Sequence, residues 1–405
     1  MERLEKNFLW LTAANTAGSL FGALLVIYLA RVLEAENFGY ISYATALVFY
    51  LFNFIDLGLS TYGIREIAKS RGTGDYVSDI VSFKLVMAAA IFILLVALSI
   101  AIVQPPVLKW LMITTGLLLF TSSAATEWAF QGTEKMHMVL VSYGTTSALQ
   151  LMLSFIFIKG PSDILKVPVI AFLGALPVVT AFLYKLKFRL RISRINFKNI
   201  GIYLSSAMVI WAVSVFAQAY NGLDIVLLGL FRPPAEVGCF TVARRIIGAS
   251  TVLMVLLANA VLPRLSCTFG SDITQFRRAT AKFLKISVLL VAAVFLPLVL
   301  FVEQIISFTV GNEYLSAAAP LRIMAFALIL IMFNLPYSTG LIAACFEKDV
   351  LKQAFASAAL SVILNFVLMP EYGMIGASIS FVSAESLALI WILVVYRKRI
   401  RFREA

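Results

Sequence analysis

Residues 8–30 read FLWLTAANTAGSLFGALLVIYLA, twenty-three positions without one charged side chain. At about 1.5 Å of rise per residue, a helix of this length reaches roughly 34 Å, enough to cross a hydrocarbon layer about 30 Å thick. The run is too long for the apolar core of a signal peptide and lacks a small-x-small cleavage pattern, so it is expected to stay in the membrane as a first span.

Eleven further runs of similar length follow, which makes the expected fold all-α, an integral membrane protein of twelve spans. The first six are Phe8–Ala30, Phe38–Tyr62, Ile80–Val103, Val107–Phe130, Met138–Ile158 and Ile164–Tyr184. The second six are Ile202–Leu230, Val237–Leu262, Phe283–Phe308, Ala319–Phe346, Leu351–Met369 and Met374–Tyr396. Composition agrees: 61% of the 405 residues are hydrophobic and 13% charged, against about 45–50% and about 25% in soluble domains. That leaves too little polar surface for a water-soluble enzyme. The net charge of +12 lies in short clusters between apolar runs, so it points to anionic membrane lipids and not to nucleic acid.

Lys and Arg also orient the chain, because cytoplasmic connections hold the excess. With the amino terminus inside, 25 of the 33 basic residues fall on inner flanks and 6 on outer ones, Arg31, Lys109, Lys159, Lys166, Arg232 and Arg322. The other two, Arg244 and Arg245, lie inside the eighth span. The split implies an even number of spans with both termini cytoplasmic; the expected location is the cell inner membrane. The longest connection, Lys185 to Lys198, alternates basic and apolar residues and reads either as a positive-inside loop or as a segment lying on anionic headgroups. It divides the chain into an N-terminal bundle (1–186), a linker (187–198) and a C-terminal bundle (199–405).

The two halves echo each other. Phe38-Gly39-Tyr40-Ile41-Ser42-Tyr43-Ala44 and Val237-Gly238-Cys239-Phe240-Thr241-Val242-Ala243 open the second and eighth spans, 199 residues apart. Phe130-Gln131-Gly132-Thr133-Glu134-Lys135 and Ala343-Ala344-Cys345-Phe346-Glu347-Lys348 close the fourth and tenth. The expectation is two six-helix bundles related by a parallel pseudo-two-fold repeat, with a substrate cavity between lobes that rock for alternating access.

Cys239, Cys267 and Cys345 form no CxxC pair, and His137 is the single histidine. Neither a metal site nor a Ser-His-Asp triad is expected, and no cofactor.

The residues also carry a family likeness. It rests on Ala30-Arg31-Val32-Leu33 with Asn37-Phe38-Gly39-Tyr40, Asp56-Leu57-Gly58-Leu59 with Arg65-Glu66, and Glu127-Trp128-Ala129-Phe130-Gln131-Gly132. In the second half it rests on Asp224-Ile225-Val226-Leu227-Leu228-Gly229, Glu236-Val237-Gly238, and Pro370-Glu371-Tyr372-Gly373-Met374-Ile375-Gly376-Ala377. In order and spacing these segments resemble the polysaccharide and O-antigen flippases of the multidrug, oligosaccharidyl-lipid and polysaccharide exporter superfamily. The resemblance implies a transporter that moves an undecaprenyl-pyrophosphate-linked oligosaccharide from the inner to the outer leaflet, working beside polysaccharide polymerase machinery. Two negative charges leaving a negative interior run downhill by roughly 4 to 5 kcal/mol per 100 mV, so no obligatory cation exchange is needed.

Charged side chains inside spans are expensive and mark cavities or partners. Arg244 and Arg245 lie about 10 Å along the eighth span and Asp224 at similar depth in the seventh. Either Asp224 pairs with one arginine, or an arginine faces the cavity as a bidentate ligand for pyrophosphate or an acidic sugar. Asp56, Arg65 and Glu127 lie toward inner span ends; Asp56 is expected to pair with Arg65 or to line an inner vestibule. Lys84, Lys282 and Lys285 are expected to snorkel. Arg31, Gln218 and Asn221 complete the candidate substrate-binding set, while Asn15, Asn53, Asn259 and Asn334 offer sugar or interhelical hydrogen bonds. Gly18 and Gly22 read as a packing motif, and Pro177, Pro297 and Pro336 as kinks or hinges.

Two other readings compete. A cation-coupled multidrug exporter should hold cavity carboxylates, yet the middle of the first span offers only Asn15. A membrane polymerase or glycosyltransferase needs a large outer loop or an acidic cluster at a membrane face, and the outer connections are short.

Overall fold

The computed structural model describes residues 2–70, 76–188 and 197–401, and they are helical with no strand among them. The linker residues 189–196 and the side chains of Gln218 and Asn221 lie outside the described residues. Nine described helices are long and apolar enough to cross a membrane. The chain is therefore an all-α, multi-pass membrane protein. Two of the nine, Trp10–Asp56 and Glu347–Ile400, are 47 and 54 residues long, each about twice the span of a hydrocarbon core. The chain divides into two compact units, 1–215 and 216–405.

In the first unit α1 (Glu2–Asp56) breaks at Glu34, where φ is 67° and ψ 167°. A second break comes at Leu57 and Gly58, with φ of 46° and 76°, and starts α2 (Leu59–Ser70). Then come α3 (Tyr76–Ala101), α4 (Pro106–Gly116), α5 (Leu118–Ala124), α6 (Glu127–Gly132), α7 (Met136–Phe157) and α8 (Lys166–Lys185). The expected fourth span is thus delivered in three pieces. α2 and α6 approach closely because Gly63 leaves room for the Trp128 ring and Gly132 for Ile67. That gives the Glu127–Gly132 segment a packing role: Trp128 also donates its indole N–H to the Ala125 carbonyl at 3.1 Å. Between α1 and α7, Tyr28 Oη donates to the Ile158 carbonyl at 2.6 Å. Gly18 faces Tyr143 of α7, whereas Gly22 faces open space, so only half of the glycine pair packs.

α9 (Phe197–Phe231) leads into the second unit, followed by α10 (Pro234–Ser271), α11 (Ile273–Leu300), α12 (Val302–Thr309), α13 (Ala318–Ala343) and α14 (Glu347–Tyr396). Asp272 caps α11 by accepting from the Thr274 and Gln275 amides, satisfying donors that a helix start leaves free. α14 breaks at Gly373, with φ 52° and ψ −132°, a backbone region open to glycine alone in practice. Helix-interior prolines are Pro177, Pro297 and Pro336, as expected, and also Pro263 and Pro370.

Candidate substrate site

In the second unit the carboxylate of Asp224, on α9, meets Arg244 of α10: Nε lies 2.8 Å from Oδ2, with side chains 12% and 7% exposed. Oδ1 accepts the Ile225 amide at 2.9 Å. Arg244 also lies over the Phe381 ring of α14, 4.2 Å from its centroid. Three helices therefore converge on one guanidinium, whose charge is met by a carboxylate and a π face.

Arg245 is the next residue on the same helix, so it points about 100° away. It is exposed, and no carboxylate among the described residues forms an ion pair with it. The two adjacent arginines thus differ in role, one holding α9, α10 and α14 together, the other presenting a free cation. Pairing with one arginine and display of the other, posed as alternatives from sequence, coexist.

In the first unit Asp56 pairs with Lys84 of α3, Nζ to Oδ1 2.8 Å, with the lysine side chain only 1% exposed. Ser60 donates to the same oxygen, Lys84 Nζ lies 3.1 Å from Ser60 Oγ, and Lys84 sits over the Phe52 ring at 5.2 Å. This corrects two expectations. Asp56 does not pair with Arg65, and Lys84 does not snorkel. The break at Leu57 and Gly58 turns the chain so that Ser60 and Lys84 face Asp56, while Arg65 lies out on α2 beside Glu66, 3.7 Å away and 55% exposed.

Glu127 accepts from Ser142 Oγ at 2.5 Å, a hydrogen bond from α7 to α6. Arg31 is exposed beside the break in α1. The candidate residues therefore fall into separate places: Asp224, Arg244 and Arg245 together, Asp56 with Lys84, Glu127 with Ser142, Arg65 with Glu66. The buried acids Asp79 and Glu385 and the ring of Phe381 escaped sequence reading, since nothing local distinguishes them from span residues. Among the described residues no group of three His, Cys, Asp or Glu is placed to hold a metal ion.

Residues 4–269 match the family model described as polysaccharide biosynthesis protein. The chain belongs to that family. The resemblance read from the sequence is thereby borne out. Among its relatives, a putative O-antigen transporter of Escherichia coli (strain K12) is 25% identical over 413 residues, covering 97% of each chain. A probable low-salt glycan biosynthesis flippase of Haloferax volcanii is 22% identical over 391 residues, covering 93% of this chain and 80% of its own.

Solved structures share the family member's fold. The lipid II flippase MurJ in an inward closed conformation superposes with a TM-score of 0.76 at 13% identity, over 96% of this chain and 87% of that one. An inward-facing multidrug resistance transporter of the MATE family gives 0.73 at 15%, over 95% and 94%. None of these names is that of an enzyme.

Proposed function

We propose that this protein is a flippase that carries a polyprenyl-pyrophosphate-linked oligosaccharide from the inner to the outer leaflet of the cell inner membrane for surface polysaccharide synthesis. In this reading it crosses the membrane twelve times in two six-helix halves with both termini cytoplasmic, and undecaprenyl is the carrier lipid. The observation that carries the reading is Arg245, an exposed cation inside an apolar helix whose neighbour Arg244 is paired with Asp224. An unpaired arginine there requires water and an anionic ligand, and its planar fork suits a pyrophosphate. The opposite polarity counts against a multidrug exporter for cations, because Asp56 and Asp224 are both neutralised by basic partners.

The test is a strain lacking this gene, with lipid-linked oligosaccharides followed by mass spectrometry and surface glycan by staining. A complete oligosaccharide accumulating on the inner leaflet, with loss of surface glycan, is the expected result. Unchanged glycans would overturn the reading.

A further inference from the structure

α11 has two opposite faces. Phe276, Thr280, Phe283 and Ser287 are buried on one side of it. Arg278, Lys282 and Lys285 are exposed on the other and, at about 100° per residue, share a strip roughly 60° wide with the exposed Leu289, Leu296 and Leu300. The strip changes character within one turn. α11 exposes no large apolar side chain before Val288, and from Val288 to Leu300 it exposes no polar one. Exposed leucines on a membrane helix face hydrocarbon, so the three cations that continue their line reach the depth of the headgroups.

No carboxylate on α11 competes for these cations, since residues 273–300 contain neither Asp nor Glu. Among the described residues Arg278, Lys282 and Lys285 enter no ion pair. Acids close to this end of the helix are engaged elsewhere: Asp272 accepts the Thr274 and Gln275 amides, and Asp349 accepts from Arg399 Nε at 2.9 Å. Arg277, one residue before Arg278, turns the other way and donates to the Ile400 carbonyl at 3.3 Å. The three exposed cations cover about 10 Å along the axis. Cations that run on into an apolar strip match an amphiphile, with its phosphate at the basic groups and its chains along the leucines. Beyond Lys285 the strip offers a headgroup no hydrogen bond, so a lipid held there stays at one membrane face and is not cargo.

We propose that Arg278, Lys282 and Lys285 form a site on the lipid-facing side of α11 for the phosphate headgroup of an anionic phospholipid. The site does not depend on the flippase reading.

The test uses the full chain in detergent micelles, with phosphatidylglycerol and phosphatidylcholine of the same acyl chains as probes and occupancy read by native mass spectrometry. The wild type retains phosphatidylglycerol in preference to phosphatidylcholine. Each of Arg278→Gln, Lys282→Gln and Lys285→Gln weakens phosphatidylglycerol about fivefold, and the triple change removes the preference without affecting phosphatidylcholine. Exchanging the cations, by Arg278→Lys with Lys282→Arg and Lys285→Arg, keeps the preference, and thermal unfolding checks the fold of both triple variants. Removing the same charge in the first unit, by Lys135→Gln, Lys185→Gln and Lys187→Gln, also leaves it in place. A wild type indifferent to the headgroup, a preference that survives the triple glutamine change in α11, or an equal loss from the first-unit triple would overturn the site. Undecaprenyl pyrophosphate serves as a third probe, and its retention is unaltered by the triple glutamine change in α11. A larger loss of this probe than of phosphatidylglycerol would overturn the phospholipid in favour of the cargo.

Discussion

Lys84 is almost wholly enclosed, yet its ammonium reaches Asp56 at 2.8 Å, joining α3 to the end of α1 where the chain breaks at Leu57 and Gly58. A buried cation is tolerable only with its partner, and removing either member leaves an uncompensated charge.

Lys84→Ala should therefore lower stability by on the order of 3–5 kcal/mol, read as thermal unfolding in detergent. The double change Asp56→Asn with Lys84→Met, which removes both charges and keeps volume, should recover most of that loss. If Lys84→Ala unfolds with the wild type, the pair has no structural weight.

The two adjacent arginines should separate in the same assay. Arg244→Ala strands Asp224 and vacates the Phe381 ring, so it should destabilise by about 3 kcal/mol or more. Arg245→Ala should stay within about 0.5 kcal/mol of wild type while glycan export falls roughly ten- to a hundredfold, the worth of a charge-assisted hydrogen bond. Equal effects of both changes on stability would contradict the division of roles.

Gly373 and Gly22 make a second contrast. At Gly373 the backbone is left-handed and a Cβ would strike the Glu236 carboxylate and Arg232, so Gly373→Ala should destabilise by about 1–3 kcal/mol. Gly22, in helical backbone facing open space, should tolerate alanine and gain about 0.5–1 kcal/mol. Unfolding midpoints of the two variants check both signs.

Asp163, in the connection before α8, is held below the usual carboxylate range by its hydrogen bond to Lys166 and by the Lys159 amide. Its folded value lies below its unfolded one, so its stabilisation is present above about pH 4 and is lost as pH falls through the folded value. Asp163→Asn should be slightly less stable than wild type near neutrality, and the two unfolding curves should converge on acidification below pH 4. Parallel curves would show that Asp163 does not contribute.

Membrane class and helix content were legible because they follow from local apolar runs, and the Asp224 pairing was open to guess from depth alone. The Lys84 partner was not. Lys84 and Asp56 are 28 residues apart in sequence, and their meeting depends on two positive-φ residues that composition does not announce. The interruptions at Glu34 and Gly373 were legible only as short connections between runs.

What the sequence determined by itself is the solvent: long uncharged runs have no stable place outside a bilayer, whatever their packing. What only the tertiary structure decided is which charges are spent. Arg244 and Arg245 are chemically identical and adjacent, and only the packing of α9 and α14 against one side of α10 turns one into a paired strut and leaves the other exposed. Rotation of about 100° per residue separates neighbours in space, so the partner of each is a property of three helices together and not of the chain around it.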